Sequence, residues 1–254
     1  MSRHLQRDLD DLKKELLQLG NLVETAINNS LIALNDRRPG LAEAVIKEEK
    51  LVDEKEVHIE EECLKILALH QPVAMDLRFI VVVLKVNNDL ERMGDMAANI
   101  AKRSLFVSSE DPIPSLREFT EVMPGCIRTM VKNSLDAMVK LDLEMAREVI
   151  EMDNTVDEIN QQMYATFQQQ VIADPSTTKR ALALLSVSRY LERIADLATN
   201  IAERAIDLSK VPAFDFSSTL LDMAKKSQWM LKACLDAFMD MDFNLARKVC
   251  VADD

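Results

Sequence analysis

Glycine is nearly missing from this sequence, with 4 residues in 254, and proline is scarce at 7. Aromatic residues make up only 4%. So few chain breakers, together with 14 methionines, favour helices over sheet. Gly20, Gly40, Gly94 and Gly125 are isolated from one another, so no glycine-rich loop of the phosphate- or dinucleotide-binding kind is present. Basic residues are also in deficit. The 31 Lys and Arg face 43 Asp and Glu, for a net charge of −12. That balance argues against nucleic acid as a partner, which needs clustered cations, and makes the chain a poor direct receptor for phosphate. It suits cations or basic protein surfaces.

Cysteine and histidine are too few and too scattered for the usual metal or catalytic patterns. Cys63, Cys126, Cys234 and Cys250 form no Cys-x-x-Cys pair, which excludes a zinc knuckle. They read as small buried hydrophobes of a reduced, cytosolic protein. None of His4, His58 and His70 follows a Glu by three residues, so the Glu-x-x-His motif of di-iron bundle oxidases is absent. No Ser/His/Asp or Cys/His constellation stands out, and the chain is not expected to be an enzyme. No apolar run reaches the length of a membrane span, and MSRHLQRDLDDLKKE lacks the apolar core of a signal peptide. The expectation is a cytoplasmic chain with no direct membrane insertion, reaching a membrane only through partners.

What the sequence does contain is an internal repeat. Leu90–Arg103, LERMGDMAANIAKR, returns as Leu191–Arg204, LERIADLATNIAER, with nine of fourteen positions identical. On a helix, Glu91, Asp95 and Asn99 share one strip, and Met93, Met96, Ala97 and Ile100 lie opposite. The second copy places Glu192, Asp196 and Asn200 against Ile194, Leu197, Ala198 and Ile201. A second pair of segments also aligns: Ala42–Asp53, AEAVIKEEKLVD, with Ala146–Asp157, AREVIEMDNTVD. Each carries an acid-x-x-x-Asp step, Glu49 with Asp53 and Asp153 with Asp157.

Read in order, the chain is a series of long helices. Leu5, Leu9, Leu12, Leu16, Leu19 and Val23 alternate steps of four and three, an amphipathic helix continuing to about Leu34. Arg38-Pro39-Gly40 breaks it. Val45, Val52, Ile59 and Ile66 recur every seven residues along a second helix, with an acidic strip of Glu49, Asp53, Glu56 and Glu60 on another face. Gln71-Pro72 ends it. The third helix holds the organising stretch and also Phe79–Leu84, FIVVVL, which has the local propensity of a strand. No punctuation surrounds that run, so it is assigned to the helix. A linker, SSEDPIPS at 108–115, separates this half from the next, where the pattern restarts with Val149, Val156 and Met163 on the new seam and Asp174-Pro175-Ser176 as the turn. The fold expected is all-α: two tandem three-helix up-down bundles, residues 1–108 and 115–210. After Val211-Pro212, residues 212–254 look like an additional hairpin that begins a third repeat. Met223–Met241 resembles the first helix of the second half, and Leu245–Asp254 resembles Met145–Asn154.

Antiparallel neighbours in such bundles can bring the carboxylate pairs of second and third helices into one patch. Clustered carboxylates are hard ligands suited to Mg²⁺, Ca²⁺, Mn²⁺ or iron, with Asn99 and Asn200 one turn further on to orient a ligand or hold a water. The alternative is a solvated acidic face, since the strips lie opposite the apolar stripe and should point outward. Arg92 and Arg193, directly after the acids, either pair with carboxylates between helices or meet a partner.

These features together resemble the PhoU family: two three-helix units, an acid-x-x-x-Asp pair on each second helix, and an ERxxDxAxNIA stretch on each third. Gln71–Arg78, QPVAMDLR, is similar to that family's QPxAxDLR segment. The resemblance covers roughly residues 5 to 210. It implies a cytosolic, often homodimeric regulator that damps phosphate uptake and phosphate-starvation signalling. Its implied partners are the ATPase of the phosphate ABC transporter and the phosphate-sensing histidine kinase. It also implies metal, including iron or zinc clusters, on two acidic patches. One would use Glu49, Asp53, Glu91 and Asp95, the other Asp153, Asp157, Glu192 and Asp196. Residues 212–254 exceed what a two-repeat member needs. A structural scaffold or metal-storage bundle without a signalling role is the competing reading.

Overall fold

A computed structural model describes residues 3–210 and 218–253. Eight α-helices and no strand occur among them: α1 (Arg3–Asn35), α2 (Pro39–His70), α3 (Ala74–Ser108), α4 (Pro114–Lys140), α5 (Leu143–Ala173), α6 (Thr178–Ser209), α7 (Ser218–Met239) and α8 (Phe243–Asp253). A 3₁₀ turn at Pro175–Thr177 leads into α6. The predicted boundary at Val211-Pro212 lies outside the described residues, as does Asp254.

The heptad and four-three stripes become the core. Leu5, Leu9, Leu12, Leu16, Leu19 and Val23 of α1 are all buried, as are Val45, Val52, Ile59 and Ile66 of α2. A fully buried Leu or Ile contributes about 2 kcal/mol relative to exposure, so these two stripes alone commit both helices to the interior. FIVVVL is helical, because Ile80 and Val83 fall on the core side of α3 while Val81 remains exposed. The helical period thus overrides β-branched propensity.

Residues up to 211 form one compact unit. Within it α1, α2 and α3 pack mutually, and so do α4, α5 and α6. The two bundles join through α3 against α6 and α1 against α4, and a single hydrophobic cluster runs through both. The result is two layers, a row α2–α3–α6–α5 over the pair α1–α4. At the join, Asp89 of α3 is buried and takes an ion pair from Arg204 of α6, with Arg92 of its own helix at 3.8 Å.

Two expected breakers behave differently from expectation. Pro39 and Pro114 each open a helix near its first position, where the missing N–H costs nothing, so Pro39-Gly40 is the first turn of α2 and the linker shortens to 109–113. Pro124 sits inside α4, held there by the buried Met123 and Ile127. Gln71 ends α2 in the left-handed region, its N–H still donating to the Leu67 carbonyl, and the following Pro72 bars the right-handed helix from continuing.

The chain from 212 onward forms a second unit. Its α7–α8 turn repeats the geometry of the two turns before it. Arg37, Leu141 and Met241 each have φ between 53° and 56°. The N–H groups of Arg38, Asp142 and Asp242 each donate at 3.0 Å to the carbonyls of Ala33, Ala137 and Ala237. Asp142 and Asp242 then cap the next helix through Oδ1, which accepts from two backbone N–H groups in each case. The α7–α8 turn thus shares its backbone geometry with the α1–α2 and α4–α5 turns. Cys63 is buried and Cys126 half-buried, but Cys234 and Cys250 are exposed on α7 and α8, contrary to the expectation of four buried thiols.

Replacing Asp89 by Ala strands the Arg204 guanidinium in the α3–α6 join. Asp89→Ala is expected to lower stability by roughly 3 kcal/mol, read as a reduced urea midpoint with an unchanged slope.

Candidate metal-binding patches

The acid-x-x-x-acid steps of α2 and α3 converge because the two helices pack with their acidic edges facing one groove. Asp53, Glu91 and Asp95 each offer a carboxylate oxygen, and these oxygens lie within 4.8 Å of one another. Among the described residues no other Asp, Glu, His or Cys group is this tight. Glu49 completes the predicted set. Burial pushes its carboxyl above the ordinary range, Lys102 pulls it back, and a hydrogen bond with Asp95 pushes it up again. Glu91 is also raised, first by burial and then by Asp95, Asp53 and Glu56.

Glu56 is a member that the sequence placed on the acidic strip without assigning it to the patch. Its carboxyl is raised by burial, Glu60 and Asp53. Buried Asn87 holds it by donating to the Glu56 carbonyl at 2.8 Å and to its Oε1 at 3.1 Å, leaving Asn87 Oδ1 without a partner.

The second patch joins α5 to α6. Asp153 is pushed up to about 6 by burial, Asp157, Asp196 and Glu203. Glu192 is raised by burial, Asp196 and Asp157, and Asp196 by burial and Asp157. Asp157 and Asp196 thus act on both Asp153 and Glu192, although the four do not close into a set as tight as the first. A sequence difference explains part of the contrast. Where the first patch has Lys102, 3.9 Å from Glu49, the second has Glu203 beside Asp153. The Lys102/Glu203 difference between the repeats therefore reverses a charge at the site.

The acids do not simply face outward. Glu49, Glu91, Asp95, Asp153 and Glu192 are half-buried, and Asp53, Asp157 and Asp196 are exposed. The correction follows from packing: a neighbouring helix covers the edge of a strip that an isolated helix would leave in water. Asn99 and Asn200 are half-buried one turn beyond the aspartates and are hydrogen-bonded to none of these carboxylates. The donor set is all oxygen and anionic, with no imidazole or thiolate in it. It fits Mg²⁺, Mn²⁺, Ca²⁺ or iron better than zinc. Cys63 is no nucleophile or soft ligand, since burial pushes its thiol up to about 12.

Fold and site together define a class: tandem three-helix bundles carrying one carboxylate patch per repeat. The family model described as "PhoU domain" matches residues 16–104 and 121–205. The chain belongs to the PhoU family. It is 40% identical over 208 residues to a phosphate-specific transport system accessory protein PhoU homolog of Aquifex aeolicus, covering 81% of this chain and 93% of that protein. A second such homolog, from Thermotoga maritima, is 30% identical over 231 residues, 91% of this chain and 98% of its own length. The crystal structure of PhoU from Pseudomonas aeruginosa superposes with a TM-score of 0.78 at 35% identity, covering 81% of this chain and 98% of that one. The phosphate transport system regulatory protein PhoU from Streptococcus pneumoniae gives 0.71 at 27%, covering 81% and 97%.

The raised Asp153 carboxyl sets a pH dependence. Its folded value lies above the ordinary 3.8, so the stabilisation from binding that proton is complete below about 3.8 and is lost as pH rises through about 6. Asp153→Asn is therefore expected to raise the Tm at pH 8 and to leave it nearly unchanged at pH 4. Added Mn²⁺ should raise the Tm of the parent protein at pH 8 more than that of the variant.

Proposed function

We propose that this chain is a negative regulator of phosphate uptake and phosphate-starvation signalling. It acts as a metal-binding helical adaptor on the ATPase of a phosphate ABC transporter and on a phosphate-sensing histidine kinase. The observation that carries the metal-binding part is the convergence of Asp53, Glu91 and Asp95. Family membership and the names of the relatives, which call them accessory proteins of a phosphate-specific transport system, support the regulatory part. No helix among the described residues is long and apolar enough to cross a membrane. In this reading the adaptor is a cytoplasmic homodimer that meets the transporter as a peripheral protein.

In this reading Glu49, Asp53, Glu91 and Asp95 hold one cation centre, and Asp153, Asp157, Glu192 and Asp196 the other. A bound cation supplies positive charge that relieves the repulsion among half-buried carboxylates. That repulsion is a cost carried by the apo fold, so metal binding stabilises the α2–α3 and α5–α6 packing. The regulatory surface would then be a set of rigid helix faces locked by two cations.

Elemental analysis of protein purified without chelator tests the metal assignment. Stoichiometric metal is expected in the parent and absent in the variant with Glu91, Asp95, Glu192 and Asp196 changed to Ala, with helicity intact. A pull-down against the purified ATPase and kinase tests the adaptor role. Binding to neither, with bulk metal loading, would favour a storage or scaffold protein.

A further inference from the structure

Between the two acidic patches lies a ribbon of opposite charge. On α3, Arg78, Lys85, Arg92 and Arg103 follow one another by seven, seven and eleven residues, spacings that keep them on one stripe of the helix. On α6, Lys179, Arg193 and Arg204 occupy the corresponding stripe. The stripes meet at the seam between the helices. Arg204 reaches across to Asp89, and an open groove of 360 Å³ is lined by Arg78 and Lys85 from the start of α3 and by Arg204 from the end of α6, with one carboxylate, Asp207, which pairs with Lys210. The two helices therefore run antiparallel, and Arg103 and Lys179 belong to the other end of the same seam.

These cations are available. Arg78, Lys85, Arg103, Lys179 and Arg193 are exposed, and none makes an ion pair within 4 Å among the described residues. Arg92 has its long contact with Asp89 and feels the neighbouring Glu91, and Arg193 likewise feels Glu192 and Asp196 at the patch edge. In a chain of net charge −12, cations collected on one seam are a local reversal of sign that the fold creates. Apolar side chains accompany them at both ends: Leu77 and Val81 beside Arg78, Leu182 beside Lys179 and Phe106 beside Arg103, each at least 40% exposed.

The shape of the ribbon selects its partner. It is one helix seam wide, roughly 8–10 Å, and spans about 38 Å from Arg78 to Arg103 at helical rise. Glu49, Asp53, Glu91 and Asp95 border it on the α2 side, and Asp153, Asp157, Glu192 and Asp196 on the α5 side. A flat anionic membrane or a nucleic acid duplex would carry its phosphates over those acidic borders as well as over the ribbon. A single helix fits between them. We propose that the α3–α6 seam docks an acidic amphipathic helix of a partner protein, carboxylates along the Arg/Lys row and apolar side chains on the Leu77/Val81 and Phe106/Leu182 ends. The seam's charge and width select that helix independently of whether it belongs to the transporter ATPase.

The test is fluorescence anisotropy of a labelled, three-heptad helical peptide with Glu along one face and Leu along the other, titrated with the full chain. The parent protein is expected to bind, more weakly as salt rises. The R78E/K85E/R103E/K179E variant should bind at least about tenfold more weakly, and the milder R78Q/K85Q/R103Q/K179Q variant should fall between. A K14E/K65E variant, altered on α1 and α2, should bind as the parent does. Circular dichroism confirms that each variant remains helical. No binding by the parent, or equal loss in the K14E/K65E variant, overturns the proposal. So does tighter binding to phosphatidylglycerol vesicles or duplex DNA than to the peptide.

Discussion

The side-by-side packing of α3 and α6 is the constraint on which the rest of the unit depends. Each is covered by the two other helices of its own bundle and by the other central helix. Small residues line the buried faces of both, Ala97, Ala98 and Ala101 on α3 and Ala195, Ala198 and Ala202 on α6. The Asp89–Arg204 pair then fixes their relation across the join.

Once these helices sit in the middle of a row, adjacent residues in the sequence are sent to different neighbours. Successive side chains differ by about 100° around a helix. Glu91 therefore turns toward Asp53 and Glu56 of α2, while Arg92 turns toward Asp89 and the α6 side. Glu192 likewise feels Asp157 of α5. A Glu-Arg dipeptide becomes part of an acidic groove on one side and of a basic seam on the other. The acid–base–acid banding of the outer layer is a geometric consequence of that dipeptide placed twice in a four-helix row.

The two patches are related by the repeat and yet electrostatically distinct. Lys102 partly offsets the charge of the first, and Glu203 adds to that of the second. In the first, three oxygens already lie close enough to share a cation. The second has no trio as tight, and Glu203 adds a further negative charge beside Asp153. Repeat symmetry supplies two patches from one pattern, and a single charge reversal distinguishes them.

Much of this was written in the sequence by itself. Heptad positions Val45, Val52, Ile59 and Ile66, and the four-three run of leucines from Leu5, determined which faces are buried, because apolar periodicity is a local property of one helix. The repeat of LERMGDMAANIAKR and of the acid-x-x-x-Asp steps determined that there are two bundles and which carboxylates belong to each. The tertiary structure decided what depends on helices far apart in the chain. It joined the bundles into one core, half-buried acids expected on open faces, and recruited Glu56 and Glu203 to the patches. It also made Pro39 and Pro114 the first residues of helices, and gathered Arg78, Lys85, Arg103 and Lys179 onto one seam. Periodicity shows which way a side chain points around its own axis, but not which neighbour stands there. Desolvation, charge repulsion and ion pairing are all set by that neighbour.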